Sequence, residues 1–123
     1  MSGTYRELLV WQQSMELVKQ VYIVTRAFPR AEIYGLTSQI RRAAVSVASN
    51  IAEGQGRESR PEFYQFLSKA RGSLMEVETQ ILIAHELGFV AKAEADTLIA
   101  LTSKVGQLLN GLMRSLKTRI PSS

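Results

Sequence analysis

The chain has 123 residues, the length of one ordinary domain, and its 46% hydrophobic and 21% charged residues are too apolar a mixture for a disordered chain. It has no Cys and a single His, His85, which excludes a disulfide framework, a thiolate nucleophile and a Cys-ligated zinc site and leaves little for imidazole chemistry. Fifteen Lys and Arg against 11 Asp and Glu give a net charge of +4, which admits an anionic partner without requiring one.

The first residues, Met1 to Glu7, are polar and precede no long apolar core, so no secretory signal is expected. The richest apolar run, Ile81 to Ala84, falls far short of the roughly 20 residues that cross a bilayer. A cytoplasmic protein without a membrane partner is expected, and Pro121-Ser122-Ser123 reads as a frayed end.

Chain breakers stand at Phe28-Pro29-Arg30, Gly54-Gln55-Gly56 and Gly88-Phe89, and between them apolar residues recur at three and four, the helical period. Residues 7–27 predict a first helix with two adjacent stripes. One is Leu8, Trp11, Met15, Val18, Tyr22 and Thr25; the other is Val10, Leu17, Val21, Val24 and Phe28. Burying one face takes a single stripe, so the second suggests another packing surface, such as a further subunit.

Residues 37–53 predict a second helix, with Thr37 placed to cap it and Leu36, Ile40, Ala44, Val47 and Ile51 as its stripe. Its small residues Ala43, Ala44, Ala48 and Ala52 invite a close neighbour. Opposite them Gln39, Arg42, Ser46, Asn50 and Glu53 share one face.

Residues 60–87 form a third helix in this reading. Ser59 is its N-cap, Pro61 lies in the first turn, and Glu62 is placed to close a capping box. Phe63, Leu67, Ala70, Leu74, Val77, Ile81 and Ala84 are its seam, Lys69, Ser73, Glu76 and Gln80 run beside that seam, and Gly88 stops the helix. Residues 93–117 give a fourth helix with Leu98, Leu101, Val105, Leu108, Leu112 and Leu116 as seam, widened by Ile99, Leu109 and Met113. Cations Lys104, Arg114, Lys117 and Arg119 complement its C-terminal dipole. Short connections between four long helices predict one all-α domain, an up-down-up-down antiparallel four-helix bundle over residues 1–123.

Chemistry finds little footing. A di-iron bundle site needs Glu-x-x-His pairs, and the residue three before His85 is Leu82. Helical nucleases pair an Arg with a following His, yet Glu78, Thr79, Gln80 and Ile81 precede His85. Gly54-Gln55-Gly56-Arg57 has no strand before it and no Lys-Ser/Thr after it, so it reads as a helix stop and a turn. No His stands by to activate a serine. We therefore expect no catalytic residues, no metal and no cofactor, and a protein that is not an enzyme.

The polar row is either a solvated face or a hydrogen-bonded network, buried or between subunits. Ser46 and Asn50 are mediocre mid-helix residues, and Glu76 and Gln80 of the third helix stand ready to answer Arg42 and Asn50. The basic residues Arg41, Arg42, Arg57, Arg60, Lys69 and Arg71 are partly neutralised by Glu53, Glu58 and Glu62, whereas the C-terminal group is not. Phe63 and Tyr64 beside Arg60 either stack on bases or belong to the core.

These residues resemble a bacterial family. Val10-Trp11-Gln12, Phe28-Pro29, Glu32 and Tyr34-Gly35-Leu36 lead into Gln39-Ile40-Arg41-Arg42-Ala43-Ala44-Val45-Ser46. Then follow Asn50-Ile51-Ala52-Glu53-Gly54, Phe63, Phe66-Leu67 and Gly72-Ser73 with Glu76. From Leu8 to Leu116 the chain is similar to the 23S rRNA intervening-sequence, or S23, family of four-helix bundles. The resemblance implies up-down bundles assembled as homopentameric rings. Some members are encoded within insertions in ribosomal RNA genes, and a similar fold serves diversity-generating retroelements beside a reverse transcriptase and nucleic acid. It implies no established activity.

The expected function is a non-enzymatic, homo-oligomeric accessory or scaffold protein that binds RNA or DNA through basic surfaces; the alternative is a protein-interaction module without a nucleic-acid role. Candidate assembly or network residues are Gln39, Arg42, Ser46, Asn50, Glu53, Ser73 and Glu76. Candidate nucleic-acid contacts are Arg41, Arg57, Arg60, Lys104, Arg114 and Lys117. Truncation of Arg42 and Asn50 to Ala is expected to weaken the oligomer, read as a lower mass in light scattering.

Overall fold

A computed structural model describes residues 4–119, with side chains to Lys117. The polar start Met1 to Gly3, the side chain of Arg119 and the tail Pro121 to Ser123 lie outside the described residues. Four helices follow one another: α1 Leu9–Thr25, α2 Leu36–Gln55, α3 Arg60–Glu86 and α4 Lys92–Arg119. Single 3-10 turns, Tyr5–Glu7 and Arg30–Glu32, precede α1 and α2. The described residues form no strand.

Each helix packs on the next in sequence, and α4 packs back on α1, which makes a four-helix bundle. Side chains across the seams fix the antiparallel register. Arg41 of α2 reaches Thr25 of α1, Ser46 of α2 meets Ser73 of α3, and Arg71 of α3 meets Asn110 of α4. One continuous core fills the centre, with Leu17, Val47, Ile51, Leu67, Val77, Ile81, Val105 and Leu109 almost fully buried. No helix among the described residues is long and apolar enough to cross a membrane.

The helix ends follow from local chemistry. Ser59 Oγ accepts the Glu62 backbone N–H at 3.2 Å and donates to the Glu62 carboxylate at 3.1 Å. At the other end of α3, Gly88 takes φ +77°; its N–H bonds to the His85 carbonyl and the Phe89 N–H to that of Ala84, a Schellman stop. Phe89 then packs on Phe28, ring centroids 5.8 Å apart, and joins the two ends of the bundle's upper loops.

Three expectations are corrected. Thr37 does not cap α2: Gly35 holds that position, Thr37 is buried in the first turn, and the Glu32 carboxylate accepts the Leu36 N–H at 3.2 Å. In α1 the core stripe is Val10, Leu17 and Val21 with Ser14 and Thr25, so Thr25 sides with the second stripe. In α4 the buried line is Ala95, Leu98, Thr102, Val105, Leu109, Met113 and Leu116, while Leu101, Leu108 and Leu112 are half-buried. The reason is common to both helices. The hydroxyls of Ser14, Thr25 and Thr102 donate to carbonyls one turn back, at 2.7, 2.7 and 2.8 Å, so these residues enter the core with their polar atom satisfied.

The tightest approach is α2 on α3, where a Cβ on Gly54 would stand 2.6 Å from Phe66 Cβ. Gly54→Ala is therefore expected to cost about 1–3 kcal/mol through overpacking. Gly72→Ala, with nothing within 4 Å of the new Cβ, is expected to stabilise by about 0.5–1 kcal/mol. Chemical denaturation of the two variants reads both signs.

Candidate functional site

The polar row divides into an inner and an outer half. Asn50 Nδ2 donates to the Ser46 carbonyl at 2.9 Å and to Ser46 Oγ at 3.0 Å, and the Ser46 and Ser73 hydroxyls share a hydrogen bond of 2.8 Å across the seam. This chain of bonds lies within one molecule and ties α2 to α3. Asn50 is thus held by its own helix, and neither Glu76 nor Gln80 answers it. Gln39, Arg42 and Glu76 are exposed, and Glu53 is paired at 3.0 Å with Arg57.

Above the Ser46–Ser73 bond the seam opens into a cleft of about 310 Å³ lined by Gln39, Arg42, Ala43, Ser46, Ser73, Glu76 and Gln80. Arg42 and Glu76 face each other there without an ion pair. Gln80 is 9% exposed, and its Oε1 is buried with no donor among the described residues. An unmet buried acceptor costs about 1–3 kcal/mol. Sequence reading placed Gln80 beside the seam but not among the site residues. The signal is its position between Val77 and Ile81, which turns it toward the core.

The basic residues separate by the register. Arg57 and Lys69 each lie 4.6 Å from the ring centroid of Phe66, one on either side of the α2–α3 turn that also carries Arg60. Because Arg71 meets Asn110, the antiparallel run of α4 brings Arg114 and Lys117 beside the first turns of α3. Both are exposed and make no ion pair among the described residues. Arg57, Arg60, Lys69, Arg114 and Lys117 therefore share one end of the bundle, a basic pole, with Glu53, Glu58 and Glu62 among them.

Two predicted contacts do not join it. Lys104 stands mid-helix, about 20 Å up α4 from Lys117 at 1.5 Å per residue. Arg41 is half-buried at the other end, its Nε donating to Thr25 Oγ1 at 2.8 Å and its guanidinium 4.6 Å from the Tyr22 ring. It braces α1 against α2. Phe63 and Tyr64 are partly buried against the core.

The first stripe of α1 lines a separate groove of about 320 Å³ with α2, built from Tyr5, Trp11, Met15, Val18, Val45, Ala48, Ser49 and Ala52. Met15 is 43% and Val45 41% exposed. His85 is exposed in the last turn of α3, with Nδ1 3.2 Å from the Val90 carbonyl. Far from the pole, exposed Lys92 is bonded to Asp96 at 2.8 Å, and that hydrogen bond, then the carboxylate charge, raises its pKa. Among the described residues no three His, Asp or Glu side chains gather as a metal site.

A family model described as 23S rRNA-intervening sequence protein matches residues 6–111. A crystal structure of a protein of unknown function, from the S23 ribosomal protein family of Bacteroides thetaiotaomicron VPI-5482, superposes with a TM-score of 0.78. The two chains are 20% identical, and the alignment covers 86% of this chain and 96% of the other. At that identity the likeness speaks for the fold. None of the curated proteins compared matches the chain.

Since Arg41 is a brace, Arg41→Ala is expected to lower stability by about 1–2 kcal/mol, through a charge-assisted hydrogen bond and a cation–π contact, and to leave any nucleic-acid binding unchanged. Urea denaturation and a binding titration on the same variant separate the two effects.

Proposed function

We infer that this chain, which belongs to the 23S rRNA-intervening sequence protein family, works as a non-enzymatic accessory or scaffold protein that self-associates and binds RNA or DNA. The observation that supports the reading is the basic pole. Cations from two stretches far apart in sequence, residues 57–69 and 114–117, meet at one end because the bundle is antiparallel. Phosphate neutralisation by such a cluster releases counterions, and affinity then falls steeply with salt. In a cyclic assembly every copy adds a pole, so phosphate affinity rises with the number of copies; five is the number the family resemblance implies.

Assembly in this reading uses the α1–α2 groove, where Trp11, Met15, Val18 and Val45 offer the apolar surface that the core leaves over. The outer members of the polar row flank α2 on its other side. A cytoplasmic setting suits a nucleic-acid partner.

The same groove favours a second reading, a protein-interaction module whose positive charge serves solubility alone. Fluorescence anisotropy with structured RNA, single-stranded DNA and duplex DNA over a salt series decides between them. Under the first reading binding is tight at low salt, and Lys117→Ala or Arg114→Ala each lowers the slope of log K against log salt by about 0.7–0.9. Absence of binding at low salt overturns it and directs the search to a protein partner.

A further inference from the structure

The antiparallel register sets three pairs of side chains opposite one another along the α2–α3 seam, one helical turn apart: Ser46 with Ser73, Arg42 with Glu76, and Gln39 with Gln80. The first pair is closed at 2.8 Å, and the other two line the cleft above it. Arg42 and Glu76 carry opposite charges on facing walls, and neither is paired with any described residue. Gln80, nine-tenths buried in the same wall, has an acceptor without a donor among the described residues.

An occupant must answer all three. The facing walls carry one charge of each sign, so an uncharged group with donors on one edge for Glu76 and acceptors on the next for Arg42 satisfies both. Guanine has that pattern: N1–H and the 2-amine are donors on one edge, and O6 and N7 are acceptors on the next. Adenine has no N1–H to offer a carboxylate, and inosine's base lacks the 2-amine.

We propose that the cleft is a guanine pocket, taking the base of a guanine nucleotide or an unstacked guanine in a single strand. Glu76 accepts from N1–H and the 2-amine, and Arg42 donates to O6 and N7, the arginine–guanine pairing known from base readout. The Gln80 carboxamide turns about its soft terminal torsion to take a hydrogen from the 2-amine, which supplies the donor that its Oε1 lacks. The floor is Ala43 and the Ser46–Ser73 pair, small enough to admit a flat ring. Along α2 the cleft lies about 20 Å from Arg57 at 1.5 Å per residue, so a single strand held by its phosphates at the pole reaches the cleft a few nucleotides on. The single-strand form rests on the nucleic-acid reading above; the mononucleotide form does not.

Isothermal titration of the full chain with GMP, IMP and AMP tests the pocket directly. GMP is expected to bind about tenfold or more tightly than IMP or AMP. Arg42→Ala and Glu76→Ala, both at exposed positions, are expected to abolish that preference while the circular-dichroism melt stays unchanged. A uridine oligonucleotide with one guanine, against the same strand with one inosine, then distinguishes the single-strand source from the free nucleotide. Equal binding of GMP and AMP, or a preference that survives both substitutions, overturns the pocket. So does a chain that binds no nucleotide and loses mass in light scattering on Arg42→Ala, for the cleft is then a subunit contact. Salt-sensitive oligonucleotide binding without guanine preference sinks the pocket alone, whereas GMP binding without oligonucleotide binding sinks the pole alone.

Discussion

The close approach of α2 to α3 is the constraint from which the rest of the molecule follows. Gly54 lies where a single methyl would collide with Phe66, and Ala43, Ala44 and Ala48 keep the buried side of α2 shallow. With the backbones so near, short side chains meet across the seam and long ones must lean outward. Ser46 and Ser73 therefore bond directly, and Arg42 and Glu76 stand apart at the rim. The small residues that tie the two helices together are also what leave an open cleft above the tie.

The remaining helices divide the labour differently. Alpha-1 has more apolar surface than the core absorbs, and the surplus forms the α1–α2 groove. Alpha-4 buries a line rotated from the predicted seam, taking in Thr102, Leu109 and Met113 in place of Leu101, Leu108 and Leu112, because the Thr102 hydroxyl is satisfied by its own helix. That rotation leaves Leu101, Leu108 and Leu112 half-buried as a skirt around the seam. The antiparallel course of the chain then brings the end of α4 to the α2–α3 turn, and a modest net charge becomes a local concentration of positive charge.

The bundle was legible in the sequence wherever period and punctuation agreed. Ser59, Pro61 and Gly88 marked α3 at both ends, and its seam from Leu67 to Ala84 is buried as the spacing requires. Thr37 misled because the helix begins before it: Gly35 holds the cap position, the Glu32 carboxylate accepts the Leu36 N–H, and Thr37 falls buried in the first turn. Ser14, Thr25 and Thr102 misled because a hydroxyl bonded to its own helix behaves as a core residue. The polar row was visible as a face, but its split into a tie and a cleft depends on how deep each pair sits, which one-dimensional spacing does not carry. Arg41 was legible as a cation and not as a brace, since Thr25 and Tyr22 come to it through the turn between α1 and α2.

The arrangement of the seam in successive turns also bears on how such a protein changes over generations. The closed Ser46–Ser73 pair and the Gly54 contact hold the helices together, while the side chains of Arg42, Glu76 and Gln39 make no hydrogen bond or ion pair among the described residues. Replacements at those outer positions carry little stability penalty. A lineage is thus free to alter the chemistry of the cleft, one residue at a time, without first repairing the fold. Drift and innovation are confined to the rim, and inheritance of the architecture is left to the small residues beneath it.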